Sequence, residues 1–110
     1  MSWPQSMHMI HATLVASAGP SQVAEAAVVT DLIWISARPG DLLEHVFSDL
    51  RDERWEITLF IRTKTSAAAQ RAAAAICRRA ILEVPALHGW QLIDAAPTDV
   101  TNPPSRRTRP

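Results

Sequence analysis

The chain nearly repeats itself, and the repeat constrains its fold more than any single motif does. An apolar run at 9–16 is followed by an Ala/Val-rich stretch opening at Ser21 and a short apolar run at 42–47. A second apolar run at 55–61 is followed by an Ala-rich stretch opening at Ser66 and a run at 90–93. Each half reads strand, helix, strand, and the polar segment 48–54 joins the halves as a hairpin loop. Two such halves predict an α+β protein, a ferredoxin-like βαββαβ sandwich whose four-stranded antiparallel sheet carries both helices on one face.

Alternation sharpens this reading. In the third strand, 55–62, Trp55, Ile57, Leu59 and Ile61 share one side while Glu56, Thr58, Phe60 and Arg62 share the other. The first strand, 8–16, places Ile10, Ala12, Leu14 and Ala16 opposite Met9, His11, Thr13 and Val15. The second helix, 66–84, has Ser66 as its cap, a stripe of Ala69, Ala73, Ile76, Ala80 and Val84, and Pro85 as its stop. The segment 22–37 is ambiguous. Val23, Ala27, Thr30 and Trp34 have helical spacing, whereas Val28-Val29-Thr30 and Ile33-Trp34-Ile35, rich in β-branched residues, favour a strand. Matching the halves selects a helix; the competing reading has a strand at 31–36 and a helix at 41–50.

At 110 residues and 47% apolar, the chain suits one domain with a modest core. Residues 8–95 form that domain, 1–7 a flexible lead, and 96–110 a disordered tail with four prolines and three arginines. The net charge is zero, and residues 1–95 hold 8 basic against 10 acidic side chains, so no basic patch calls for nucleic acid. No apolar run approaches a membrane span, and the apolar segment near the N-terminus lacks the preceding positive charge of a secretory signal. A cytoplasmic protein is expected. Ten arginines to one lysine, with 18 alanines, suggest a GC-rich genome of the actinobacterial kind.

Both helices on one side leave the other side of the sheet uncovered. The expected open face carries Met9, His11, Thr13 and Val15, then Glu56, Thr58, Phe60 and Arg62, then Glu44 and Val46, and Gln91 with Ile93. It is too apolar to stay wholly wet, which predicts a homodimer or larger assembly through this face. His11 with Glu44 or Glu56 is the one acid–base set that emerges, and Thr13, Thr58, Phe60 and Arg62 would contact a substrate beside it. The plainer alternative is an interfacial histidine hydrogen bond and solvated glutamates. His45 is expected to point into the core, and His8 and His88 to lie at the surface. Cys77 reads as a small buried packing residue, Trp55 and Trp90 as core, and Arg71, Arg78 and Arg79 as a solvated helix face. The histidines have no metal-ligand spacing, and three glycines cannot build a phosphate loop, so no metal and no cofactor is expected.

The region 31–93 also carries a resemblance. Asp31-Leu32-Ile33-Trp34, Leu43-Glu44-His45-Val46, Thr58-Leu59-Phe60-Ile61, Ile76-Cys77-Arg78-Arg79-Ala80 and the stretch from Pro85 to Leu92 resemble a family of small actinobacterial proteins. That family is encoded with thiopeptide natural products and forms the C-terminal amide of nosiheptide-type peptides. The resemblance implies a tailoring activity: removal of a C-terminal dehydroalanine unit from a ribosomal peptide, with no metal or redox cofactor. Glu44 or His11 would then move the protons. No residue of that family's site is matched to a position here. Two further readings stay open. One is a non-catalytic peptide- or protein-binding module using a sheet edge or the open face. The other is a cofactor-free oxygenase or isomerase of the dimeric α+β barrel type, by analogy of fold alone.

Overall fold

A computed structural model of the chain describes residues 6–16 and 26–98. The elements run β1 (Ser6–Ala16), α1 (Ala26–Ser36), β2 (Leu43–Arg51), β3 (Arg54–Thr63), α2 (Ser66–Glu83) and β4 (Trp90–Pro97), with 3-10 turns at Pro39–Asp41 and Pro85–Leu87. The sheet order is β2-β3-β1-β4 and every neighbouring pair is antiparallel. This is the ferredoxin-like sandwich expected from the repeat.

The core lies between the sheet and the helices. Ile10, Ala12 and Leu14 of β1 and Trp55, Ile57, Leu59 and Ile61 of β3 are buried there, because the two central strands keep strict alternation. Helix α2 meets them with Ala69, Ala73, Ile76, Cys77 and Ala80. Alanine on this stripe lets the helix backbone approach the bulkier sheet residues, so volumes across the layer are complementary. Its N-cap is Thr65, one residue before the expected Ser66, and the Thr65 hydroxyl accepts the Ala68 N–H at 3.0 Å.

The ambiguous segment 31–36 is helical. The buried stripe of α1 is Val29, Ile33 and Ser36, however, and not the face running through Thr30 and Trp34; Trp34 is 40% exposed. Spacing alone selects a helical period but not which of two apolar faces is buried; packing against β2 and α2 does. The expected Val23 position and the Ser21 cap fall outside the described residues.

Element ends also differ from expectation. Ser6 and Met7, placed in the lead, already belong to β1, and β4 continues beyond 93 to Pro97. Thr98 then donates its N–H to the Met9 carbonyl at 2.8 Å. The rest of the expected tail, 99–110, lies outside the described residues. Segment 48–54 is not an open loop: β2 and β3 extend through it to a two-residue turn, Asp52-Glu53, with φ of 50° and 64°. Both central residues at positive φ match the twist of the flanking strands, a geometry normally filled by Asn-Gly.

The connection from α1 to β2 is held by one cation. Arg79 Nη1 donates to the Ser36 carbonyl at 2.5 Å and to Asp41 Oδ2 at 3.0 Å, and Asp41 also accepts the Arg38 N–H at 2.7 Å. The clasp satisfies a carbonyl at the C-terminal end of α1, which the helix itself leaves open. Arg79 is therefore structural rather than part of a solvated face.

Candidate functional site

The uncovered side of the sheet is built from alternate residues of all four strands. On β3 and β1 it carries the residues expected: Glu56, Thr58, Phe60 and Arg62, with Met9, His11, Thr13 and Val15. His11 stands across from Thr58, and Thr13 across from Glu56. The diagonal brings His11 Nε2 to 2.6 Å from Glu56 Oε1, with the two side chains 39% and 25% exposed. Two bare lone pairs would repel at that distance, so the contact is a hydrogen bond with a proton held between the two atoms. Thr13, between Glu56 of β3 and Asp94 of β4, is buried by its neighbours on this face.

Strand β2 departs from expectation. Its pairing with β3 shifts between Leu43, opposite Ile61, and His45, opposite Phe60, so Glu44 is one extra residue. A bulge of this kind reverses the facing of everything beyond it. Val46, expected on the open face, is opposite Leu59 and only 3% exposed, in the core. His45, expected in the core, lies on the open face with Phe47 and Phe60. The three rings cluster, with His45–Phe47 and Phe47–Phe60 edge-on at 4.6 and 5.9 Å between centroids and His45–Phe60 tilted at 5.7 Å. His45 and Phe47 are the members of the face that sequence reasoning missed. The signal was present: Leu43 and Val46 are both apolar but three apart, a break in the two-residue period.

Glu44, the other carboxylate expected beside His11, pairs instead with Arg62 at 3.4 Å, both side chains nearly half exposed. The structure thus brings His11 together with Glu56 and not with Glu44. On β4 a second bulge, between the partners of Thr13 and Leu14, makes Ile93 the extra residue. Ile93 lines a trough beside α2, while Gln91, opposite Val15, stays on the open face as expected.

At one level the face is acidic: Asp49 stands opposite Glu56, and Thr13 opposite Asp94. Like charges directly opposed destabilise a sheet. Here Arg51 relieves Asp49 through a 2.7 Å hydrogen bond, which also raises the Arg51 pKa, and His11 relieves Glu56. The face therefore grades from an apolar, aromatic zone of Met9, Phe47 and Phe60 to a carboxylate zone, with His11 at the boundary.

Cys77 is fully buried, and desolvation pushes its thiol up to about 12, which leaves it protonated and unreactive. His8, expected at the surface, turns its Nε2 into the protein interior with no hydrogen-bond partner among the described residues. Among the described residues no three His, Cys, Asp or Glu side chains cluster in a way that would hold a metal ion, and no helix is long and apolar enough to cross a membrane.

Fold and face together define a class: a two-layer α+β sandwich with an open, partly apolar sheet face bearing one His–Glu pair. Compared with protein-family models, with curated proteins and with solved structures, the chain gives no match.

Proposed function

We propose that the open face is a proton-transfer site in which His11 and Glu56 form the acid–base pair, and that a second copy of the chain covers it. The observation that carries this reading is the 2.6 Å contact between the two side chains, which sit at the edge of an exposed aromatic zone where Phe47 is 57% exposed. A polar pair beside apolar surface is the layout that a covered active site requires, since closure dries the pair and strengthens its interaction with a substrate. Exposed Met7 and Phe47 supply apolar area for the cover.

The substrate class we favour is a peptide ending in dehydroalanine, on the strength of the resemblance in region 31–93. The chemistry needs only proton transfers and water. Protonation of the enamide β-carbon gives an N-acyliminium ion, water adds at the α-carbon and loses a proton, and the adduct collapses to a peptide amide and a pyruvoyl compound. No net oxidation or reduction occurs. His11 would deliver the proton to the β-carbon and Glu56 hold the imidazolium, with Thr58 beside them to bind the amide and Phe60 to pack the methylene, while Thr13, expected to touch the substrate, is buried beneath them. Arg62 lies at the end of the face where a terminal carboxylate would sit, in exchange for Glu44.

The test is to incubate the full chain with a synthetic dehydroalanine-ended peptide and follow the mass of the product. Conversion to the shortened amide, lost in His11→Ala and Glu56→Gln, is expected; in heavy water the pyruvoyl methyl group gains deuterium. No conversion in any buffer overturns the substrate class, and full activity in His11→Ala overturns the pair. A strictly monomeric protein that retains activity overturns the cover. A second reading, a non-catalytic peptide-binding module, is favoured by the exposed His45–Phe47–Phe60 cluster. It predicts binding of the same peptide without turnover.

A further inference from the structure

On the helical side of the sheet, a trough runs between α2 and the edge strand β4. Its first part, about 570 Å³, is lined by Gln70, Arg71, Ala74 and Arg78 of α2 and by residues 92–95 of β4. A further part of about 300 Å³ continues past Arg78 to Ile81, Leu82 and Trp90. The trough has a simple origin. Ala74 is too short to reach over the edge of the sheet, and the bulge at Ile93 bends the strand. Gln70 bridges one end by donating to the Ala95 carbonyl at 2.5 Å.

The charge along it is uncommitted. Arg79 is tied to Asp41, Arg51 to Asp49 and Arg62 to Glu44. Arg71 and Arg78 have no ion pair among the described residues, and both line the trough. Seven residues apart on one helix, they stand about 10 Å apart along its axis. Ile93, 49% exposed, lies beside them, and past Arg78 the trough meets Leu82, 76% exposed.

We propose that this trough binds an extended acidic peptide segment, its carboxylates on Arg71 and Arg78 and an apolar side chain on Leu82. Carboxylates on alternate residues of an extended chain are about 7 Å apart, and the long side chains of two arginines set about 10 Å apart along the helix can converge to reach both. A single small anion would engage one arginine and leave the rest of the trough empty. A nucleic acid suits it poorly: two cations line it, and residues 1–95 carry a net acidic charge. The site is separate from the His11–Glu56 pair, which faces the other side of the sheet.

Fluorescence anisotropy of the full chain tests the proposal with three labelled probes: a peptide of sequence Ala-Glu-Ala-Glu-Ala-Leu-Leu, the same peptide with glutamine for glutamate, and a single-stranded oligonucleotide. Salt-sensitive binding of the glutamate peptide is expected, weakened about tenfold or more by the glutamine replacement and by Arg71→Glu or Arg78→Glu. Arg38→Glu, a reversal at an exposed position outside the trough, should change nothing. Absence of binding, equal binding of the glutamine peptide, indifference to both reversals, or preference for the oligonucleotide would each overturn it.

Discussion

His45 stands directly across from Phe60, on the side of the sheet away from the helices, because Glu44 is an extra residue in β2. Without Glu44 the remainder of the strand alternates cleanly, with Leu43 and Val46 facing inward and His45 and Phe47 outward. Deletion of Glu44 is therefore expected to leave the fold intact and change stability by no more than about 1 kcal/mol, since it removes only an exposed ion pair with Arg62. Urea denaturation and the aromatic ring resonances check this. A loss of several kcal/mol would show that the bulge itself is required.

The Asp52-Glu53 turn places two side-chain-bearing residues at positive φ. Glycine is the residue suited to the second of these positions. Glu53→Gly is expected to stabilise the protein by about 0.5–1 kcal/mol, the relief of left-handed strain exceeding the added freedom of the unfolded chain. A rise in the thermal midpoint would register it.

Arg79 joins α2 to the end of α1 and to Asp41 with little solvent access. Its truncation to alanine leaves a carboxylate and a carbonyl short of a partner. A loss of about 2 kcal/mol is expected, read by urea denaturation. Arg71→Ala, on an exposed position of the same helix, is expected to cost less than about 0.5 kcal/mol.

Cys77 makes stability depend on alkaline pH. Burial holds its thiol near 12, whereas an unfolded thiol ionises near 8.5. Above about 8.5 the unfolded state releases a proton that the folded state keeps, so stability is fully present below that pH and falls as pH rises toward about 12. About 2 kcal/mol is expected to be lost by about pH 10. The sequence has no tyrosine and a single lysine, so few other groups titrate in this window. Cys77→Ala should remove this component. Denaturation curves at neutral and alkaline pH compare the two proteins, and equal slopes would show that the thiol is not the source.

The contrast between β3 and β2 shows why part of the molecule was legible in advance. Trp55, Ile57, Leu59 and Ile61 alternate without interruption, so both faces of β3 followed from the order of its residues. In β2 a helix-side Leu43 and a helix-side Val46 straddle two residues, and reading a regular strand through them put His45 and Val46 on the wrong sides. Helix α1 posed a similar problem. It has apolar residues around most of its circumference, and only contact with the rest of the core chose Val29 and Ile33 over the side bearing Trp34.

What the sequence determined by itself is the set of elements, their order and the two faces of the central strands. These follow from periodicity, a local property in which each residue's facing depends on its immediate neighbours. Tertiary structure alone decided which carboxylate meets His11 and which rings surround Phe60. Glu56 and Glu44 are equally acidic in the sequence; strand register, set by the fit of the whole core, brought Glu56 to 2.6 Å and sent Glu44 to Arg62.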